Sequence, residues 1–380
     1  MTNIYKFGGS SLASAEKINQ VAKFIAKRLS ENPSELVVVV SAMGKTTNAL
    51  DSLAHETGGE KVKQNAGAGY AKLVAAGEYI SACALSLALK KQGIESDVLT
   101  ADNLVFAEGE NYTSENIKSV NTERLKQVLK NKVAIVCGFQ GVNKNGERVL
   151  LGRGGSDTTA VALGAALGAK VYIYTDVNGF YTLDPNTFSG AKQLSSISAH
   201  SALSLASGGA KVLDKRALMV ANKFKTPVEV LKSCESGGTR LETEPLESAH
   251  IDGISFVKNA MLLEGDENAE SAACTIYKRL AIKRGDRVKT FIVALPASGS
   301  LPPKKSCPCD LLTIAGSGLD YYKQFLQTLK AVLSQFKNQI KLIDISPTAV
   351  YLVCTQGSAQ KISECLAKTF NLVKKSPIKK

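Results

Sequence analysis

The sequence predicts an α/β protein: a three-layer sandwich with a mostly parallel central sheet, followed by a smaller α+β region. Three observations carry this reading. Apolar runs of strand length at 36–40 and 133–137 alternate with segments of helical period. A strand that is apolar at every position suits a sheet covered on both faces. The glycine-rich polar stretches fall at the ends of such strands, where α/β sheets gather their ligands. Beyond about His250 the order changes to strand, helix, strand, strand, helix, which suits an antiparallel sheet.

Taken in order, residues 3–5 begin a strand that runs into Lys6-Phe7-Gly8-Gly9-Ser10-Ser11. Residues 13–29 form a helix with Ile18, Val21, Ala22, Ile25 and Leu29 on one face. The apolar strand 36–40 ends in Ser41-Ala42-Met43-Gly44-Lys45-Thr46-Thr47-Asn48. The Gly44-Lys45-Thr46 triplet has the ending of a phosphate-binding P-loop, but that motif needs glycine five residues earlier, where Val39 stands. A long helical region containing Gly77-Glu78 runs to about Lys91. A short strand at 97–99, a helix at 123–129 and the buried strand 133–137 follow, the last ending in Gly138-Phe139-Gln140-Gly141. Asn145-Gly146 marks a hairpin tip.

Next comes Leu151-Gly152-Arg153-Gly154-Gly155-Ser156-Asp157-Thr158-Thr159-Ala160, with Ser156 read as the cap of a buried, small-residue helix. A strand at 170–174 ends in Thr175-Asp176-Val177-Asn178-Gly179-Phe180-Tyr181-Thr182-Leu183-Asp184-Pro185. Two helices flank Ser207-Gly208-Gly209-Ala210-Lys211-Val212-Leu213, and a strand at 228–231 closes the region.

In the C-terminal part, 311–316, 340–345 and 349–354 read as strands and 359–370 as a helix. The helix 320–337 should turn Tyr322, Phe325, Leu326, Leu329, Leu333 and Phe336 inward. Residues 254–295 look like a weaker copy, with strands at 254–257 and 288–295 and a helix near 272–280; a proline-rich join at 296–308 separates the two. The predicted domains are 1–245, 250–300 and 309–375.

Composition narrows the class. With 44% apolar and 21% charged residues in 380, the chain is of ordinary globular type, long enough for two or three domains. No apolar run approaches membrane-spanning length, and the segment Met1-Thr2-Asn3-Ile4-Tyr5-Lys6 has no signal-peptide pattern. Eight scattered cysteines read as reduced thiols of a cytoplasmic protein. Cys307-Pro308-Cys309 has no histidine nearby, which argues for a loop with two incidental cysteines and against zinc. Of the net charge of +13, residues 250–380 contribute +9, from 19 Lys and Arg against 10 Asp and Glu. These basic residues are dispersed, so a solvated basic surface is expected rather than a nucleic-acid or membrane partner.

Two glycine loops carry the chemistry. The loop at Gly152 to Gly155 feeds a helix N-terminus, whose open N–H groups and dipole favour an anion. Arg153 adds a fork for a carboxylate or phosphate, and Asp157 sets an acid beside it. Lys6, directly before Gly8 and Gly9, can neutralise a transferring phosphoryl group while the glycine N–H groups hold its oxygens. Alone, each has a plain alternative: a capped helix, or a surface lysine before a tight turn. Together, and in this order with the stretch at Thr175, they form a strong set.

That set resembles the aspartate kinases of the amino-acid kinase superfamily, in the segments 6–11, 41–48, 152–159, 175–185 and 209–213. The resemblance implies the amino-acid kinase fold and phosphoryl transfer from ATP with Mg2+ to the side-chain carboxylate of L-aspartate. This is the entry step to lysine, threonine, methionine and diaminopimelate synthesis. By matched position it makes Lys6 and Asp157 catalytic, Lys6 at the phosphoryl group and Asp157 as the orienter of the active-site lysines. Thr47, Glu78, Arg153, Gly155 and Ser156 would bind aspartate, Arg153 through a carboxylate and Glu78 through the ammonium. Lys6, Gly8, Gly9, Ser10, Thr175, Asp176, Tyr181 and Lys211 would bind ATP, with no metal held by the protein itself. The plain alternatives are a solvated helix glutamate for Glu78 and a strand core residue for Tyr181.

The chain departs from the family at Asn186, where an arginine usually follows Asp184-Pro185, and at Asp214-Lys215, where His-Pro is usual. The C-terminal pair resembles ACT domains, which sense amino acids and dimerise. The first copy lacks the usual Pro-Gly and has Glu264-Gly265-Asp266-Glu267-Asn268-Ala269-Glu270 instead. A homodimer through the C-terminal region is therefore expected, with weak or absent feedback by lysine or threonine. Two rivals stay open: another acceptor, such as glutamate, acetylglutamate or a nucleoside monophosphate, and an inactive regulatory relative.

Overall fold

Runs of β-branched residues build the centre of the structure, a computed structural model that describes residues 2–243, 250–265, 274–284, 287–296 and 306–374. The chain divides into two units, Met1–Gly179 with Val212–Thr243, and Phe180–Lys211 with Glu244–Lys380. In the first unit the main sheet runs in the order Thr239–Glu242, Val228–Lys232, Lys170–Thr175, Thr2–Phe7, Glu35–Val40, Val133–Cys137, Ser96–Leu99. All neighbours are parallel except the pair Thr239–Glu242 and Val228–Lys232.

The central strands are apolar because both faces are covered. Val37, Val38, Val39 and Val40 have no exposed surface, and each such side chain contributes about 1.5–3 kcal/mol by leaving water. The helix Ala15–Glu31 turns Ile18, Val21, Ala22 and Ile25 onto one face of the sheet, with Ser14 capping its first turn through the Lys17 N–H. Leu29 is only partly buried. A four-stranded sheet, Ile117–Val120, Val105–Ala107, Gln140–Val142 and Arg148–Leu150, adjoins this core and contains the expected hairpin.

Some local expectations are corrected. The helical region up to Lys91 is two helices, Thr46–Gly58 and Ala68–Lys91. Gly59, at a φ of 80°, ends the first of them in a conformation that favours glycine. The second, at 24 residues, is long and apolar enough to cross a membrane by length and composition, contrary to the sequence reading, and half of its most apolar window is buried in this unit. Its alanines, serines and glycine let it pack closely, and it carries the buried Glu78. Ser156 does not cap its helix: the cap is Gly154, in the left-handed region, and Ser156 is buried within the first turn of Gly155–Leu167.

The second unit has a six-stranded antiparallel sheet in the order Cys274–Arg284, Arg287–Pro296, His250–Glu264, Ser306–Ser317, Ala349–Cys354, Ile340–Ser346. The strand-helix-strand-strand-helix order after 306 is as expected, with helices Lys323–Ser334 and Ala359–Thr369. Phe325, Leu329, Leu333 and Phe336 are buried, but Tyr322 is 43% exposed because it precedes the helix rather than lying on its inner face. The helix expected near 272–280 is the strand Cys274–Arg284. Its pairing along Arg287–Pro296 over most of its length outweighs its helical spacing. Cys307 and Cys309 lie in the strand Ser306–Ser317, not in a loop, and Cys309 is fully buried. The segment Phe180–Lys211 belongs to this unit, where Thr182 donates to the Leu372 carbonyl at 2.6 Å. Of the acidic stretch at 264–270, residues 266–270 lie outside the described residues, as does most of the proline-rich join.

Candidate active site

A cleft of about 230 Å³ opens in the first unit, lined by Lys6, Ser41, Thr47, Glu78, Phe139, Gly152, Arg153, Gly154, Gly155, Ser156 and Asp157. Its position follows from topology. Lys6 is the last but one residue of the strand Thr2–Phe7, Ser41 follows Glu35–Val40 and Phe139 follows Val133–Cys137, so the C-terminal ends of neighbouring parallel strands converge there.

Lys6 is 7% exposed, and its ammonium pairs with the Asp157 carboxylate at 2.6 Å. Two partly buried opposite charges held this closely fix each other's direction, which leaves a cation aimed into the cleft. Asp157 sits in the first turn of Gly155–Leu167, where a negative charge also complements the helix dipole. The turn after Lys6 is held by the Gly8 N–H to the Tyr174 carbonyl at 3.2 Å and by the Gly44 N–H to the Gly9 carbonyl at 2.9 Å, so the Gly8 N–H, expected to hold phosphoryl oxygens, is instead engaged by the neighbouring strand.

Glu78 is 3% exposed, so it is not a solvated helix residue. It reaches the cleft because Gly77 lets its helix press against the 41–44 loop: a Cβ at 77 would stand 2.7 Å from the Ala42 Cβ. One Glu78 oxygen accepts the Ala42 N–H at 3.0 Å, and the other is buried without a hydrogen-bond partner. Burial pushes the Glu78 carboxyl up to about 7, against the opposing pull of the Ala42 N–H. A buried carboxylate with an open oxygen is a receptor for a cationic group.

The loop carrying Arg153 is bent by Gly152 and Gly154, both at φ 69°. The Arg153 side chain is exposed at the mouth. Gly155 passes close to Phe139, 3.1 Å from a Cβ to the Phe139 Cα, so any side chain there would displace the pocket wall. Phe139 itself has φ 69°, an uncommon conformation for an aromatic residue.

The cleft thus gathers Lys6, Thr47, Glu78, Arg153, Gly155, Ser156 and Asp157 from distant positions in sequence. It is not lined by Gly8, Gly9 or Ser10, although these form the turn directly after Lys6. Thr175 and Asp176 stand at the end of the strand Lys170–Thr175, joined by a 3.0 Å hydrogen bond, in the first unit. Tyr181 and Lys211 belong to the second unit, where Tyr181 packs against the core and Lys211 is exposed. Asn186 is exposed and turned onto Asp184, whose Oδ1 accepts its backbone N–H at 2.9 Å and its amide at 3.1 Å.

Ser41 and Phe139 are cleft residues that the sequence reading did not single out. Their signal was available, since each directly or closely follows an all-apolar strand. Among the described residues, no group of three or more His, Cys, Asp or Glu side chains is arranged to hold a metal ion.

A cation paired with an acid, a second buried acid with a free oxygen and an exposed guanidinium surround one small space. Such a site can hold a zwitterion and stabilise a transferring anionic group. Residues 1–232 match the amino acid kinase family. The aspartokinase of Geobacillus stearothermophilus is 34% identical over 371 residues, covering 96% of this chain and 88% of that protein. Aspartokinase 2 of Bacillus subtilis is 33% identical, covering 98% of each. The crystal structure of E. coli aspartokinase III in complex with aspartate and ADP shares the fold, with a TM-score of 0.78 at 20% identity over 98% of this chain and 100% of that one. The chain belongs to the amino acid kinase family and, within it, to the aspartokinases.

Proposed function

We propose that the chain is an aspartate kinase, transferring the γ-phosphoryl group of ATP to the side-chain carboxylate of L-aspartate to give 4-phospho-L-aspartate and ADP. The observation that carries this is the meeting of Glu78, Arg153 and the Lys6–Asp157 pair in one cleft. Glu78 receives the substrate ammonium on its open oxygen, and Arg153 holds a carboxylate. Thr47, at the start of its helix, the Ser156 N–H and the close-lying Gly155 backbone, whose own N–H donates to the Gly152 carbonyl at 3.0 Å, complete the pocket. A side-chain carboxylate oxygen then attacks the γ-phosphorus, the bond to the β,γ-bridging oxygen breaks, and that oxygen leaves with ADP. Lys6 neutralises the charge on the phosphoryl oxygens, and Asp157 keeps the ammonium in line.

Gly8, Gly9, Ser10, Thr175, Asp176, Tyr181 and Lys211 are assigned to ATP by their matched positions. Mg2+ would enter with the nucleotide and would help to neutralise the phosphate charge beside Lys6. The product is a reactive acyl phosphate at the entry to lysine, threonine, methionine and diaminopimelate synthesis. The free cysteines among the described residues fit a reducing cytoplasm.

The proposed assembly is a homodimer through an ACT-like C-terminal region. Ile340–Ser346 ends the sheet order of the second unit, with Ile343 and Ile345 exposed at 46% and 42%. Beside it lies a groove of about 350 Å³ lined by Leu326, Leu329 and Leu333, among others. Pairing of such edges removes open backbone groups from water. Feedback by lysine or threonine is weak or absent on this reading, because the acidic stretch at 264–270 repels a free carboxylate.

An aspartate-dependent assay that traps the acyl phosphate as a hydroxamate tests the activity, with glutamate, acetylglutamate and nucleoside monophosphates as competing acceptors. Hydroxamate formation with aspartate alone is expected. Preference for another acceptor, or no turnover with any, overturns the assignment. Light scattering of the full chain, and activity titrated with lysine and with threonine, test the assembly and the feedback.

A further inference from the structure

The loop that presents Arg153 is clamped from outside the cleft. Arg216, in the first turn of the helix Lys215–Phe224, donates from its guanidinium to the Arg153 carbonyl and, at 3.5 Å, to the Glu115 carbonyl. Its own direction is set by Asp214, whose carboxylate accepts the Arg216 N–H at 2.9 Å and stands 3.5 Å from the Arg216 Nε. The Asp214 side chain packs so tightly on Gly154 that a Cβ there would overlap it. On the far side, Ser114 fills the space over Gly152, and the Glu115 N–H donates to the Leu150 carbonyl at 2.8 Å. The Glu115 carboxylate in turn accepts the N–H groups of Gly109 and Asn111 at 3.1 and 2.8 Å. One planar guanidinium therefore ties the Gly152 to Gly154 turn, through the Arg153 carbonyl, to the backbone at Glu115.

We propose that Arg216, oriented by Asp214, is a positioning residue for aspartate recognition. It holds the Arg153 carbonyl so that the exposed Arg153 side chain is delivered to the substrate carboxylate. The physical reason is entropic: a turn with two left-handed glycines is freer than ordinary backbone. Among the described residues the Arg153 side chain meets no hydrogen-bond or ion-pair partner, and it stands exposed at the cleft. A charge-assisted donor on its carbonyl supplies the order that the side chain lacks. The inference rests on Arg153 being the carboxylate clamp, and it gives a role to the departure at 214, where aspartate both caps the helix and wedges the loop.

The test is steady-state kinetics on Arg216→Ala, Arg216→Lys, Arg153→Ala and the double variant Arg153→Ala/Arg216→Ala. Arg216→Ala should raise KM for aspartate about tenfold, the order lost with one charge-assisted hydrogen bond, while KM for ATP stays within about twofold. Arg216→Lys should recover part of the loss, because an ammonium still reaches one carbonyl but cannot bridge two. In the Arg153→Ala background, removing Arg216 should add no further rise, since its effect passes through Arg153. Independent, multiplying effects in the double variant overturn the inference, as does an equal rise in KM for ATP or an unchanged KM for aspartate in Arg216→Ala. If Arg153→Ala itself leaves KM for aspartate unchanged, the clamp reading fails, and the inference with it. Should Arg216→Ala not fold, Asp214→Asn takes its place, with a smaller rise in KM for aspartate expected and no change overturning the proposal.

Discussion

Glu78→Gln should make the unliganded protein more stable at neutral and alkaline pH while impairing its use of aspartate. The folded carboxyl is pushed from 4.5 up to about 7 by burial. Below 4.5 it is protonated in both folded and unfolded chains and costs nothing. Between 4.5 and 7 the unfolded chain releases a proton that the folded chain retains, so stability falls as pH rises. Above 7 the folded site is ionised as well, and the loss levels off at ~3 kcal/mol, from 1.36 kcal/mol per pH unit. Glutamine keeps the acceptor for the Ala42 N–H and carries no charge at any pH. Its advantage over wild type should therefore be near zero at pH 4.5 and approach ~3 kcal/mol by pH 8. Urea unfolding at both pH values measures this, with the first unit's transition followed separately because two units need not unfold together. A stability difference that does not change with pH, or a variant less stable than wild type at pH 8, refutes the reasoning. The functional half has the opposite sign. An ammonium at the open oxygen supplies the missing countercharge, so wild-type KM for aspartate should fall as pH rises through about 7. The glutamine variant should lose that dependence and bind aspartate poorly at every pH.

Lys6→Ala should lower kcat about a hundredfold or more, because one lost electrostatic donor costs about 3–4 kcal/mol of transition-state stabilisation; near-normal turnover would remove Lys6 from the mechanism. Gly154→Ala should destabilise the first unit by roughly 1–3 kcal/mol through strain at its positive φ, with more from overlap with Asp214, and thermal unfolding with unchanged midpoint would contradict the clamp geometry. Asn186→Arg should lower KM for ATP, since a guanidinium can grip a polyphosphate that the amide cannot; an unchanged KM would show that another cation already serves the phosphates.

The sequence by itself determined the parallel core and the ends at which its ligands gather. Valine-rich, wholly apolar runs such as 36–40 and 133–137 suit a sheet buried on both faces, and the loops after parallel strands then gather at one edge. It also determined the second sheet after 306, whose apolar periods change register cleanly between strand and helix. It placed a helix near 272–280, where the structure has the strand Cys274–Arg284, because apolar spacing in a short segment suits either state and pairing with Arg287–Pro296 decides it. Only the tertiary structure decided which side chains of the loops face one another. Glu78 is 36 residues from Ala42 in sequence, and nothing local distinguishes it from a solvated helix acid. Its burial depends on a glycine at 77 meeting a loop from another strand. Arg216 lies 63 residues from Arg153, and the bond between them exists only because two helices and a sheet bring the turn and the guanidinium together. Side-chain contacts between loops are long-range, with no periodicity to announce them, so the strands were legible in sequence, the charges at their ends were named only through the resemblance, and the contacts those charges make were not legible.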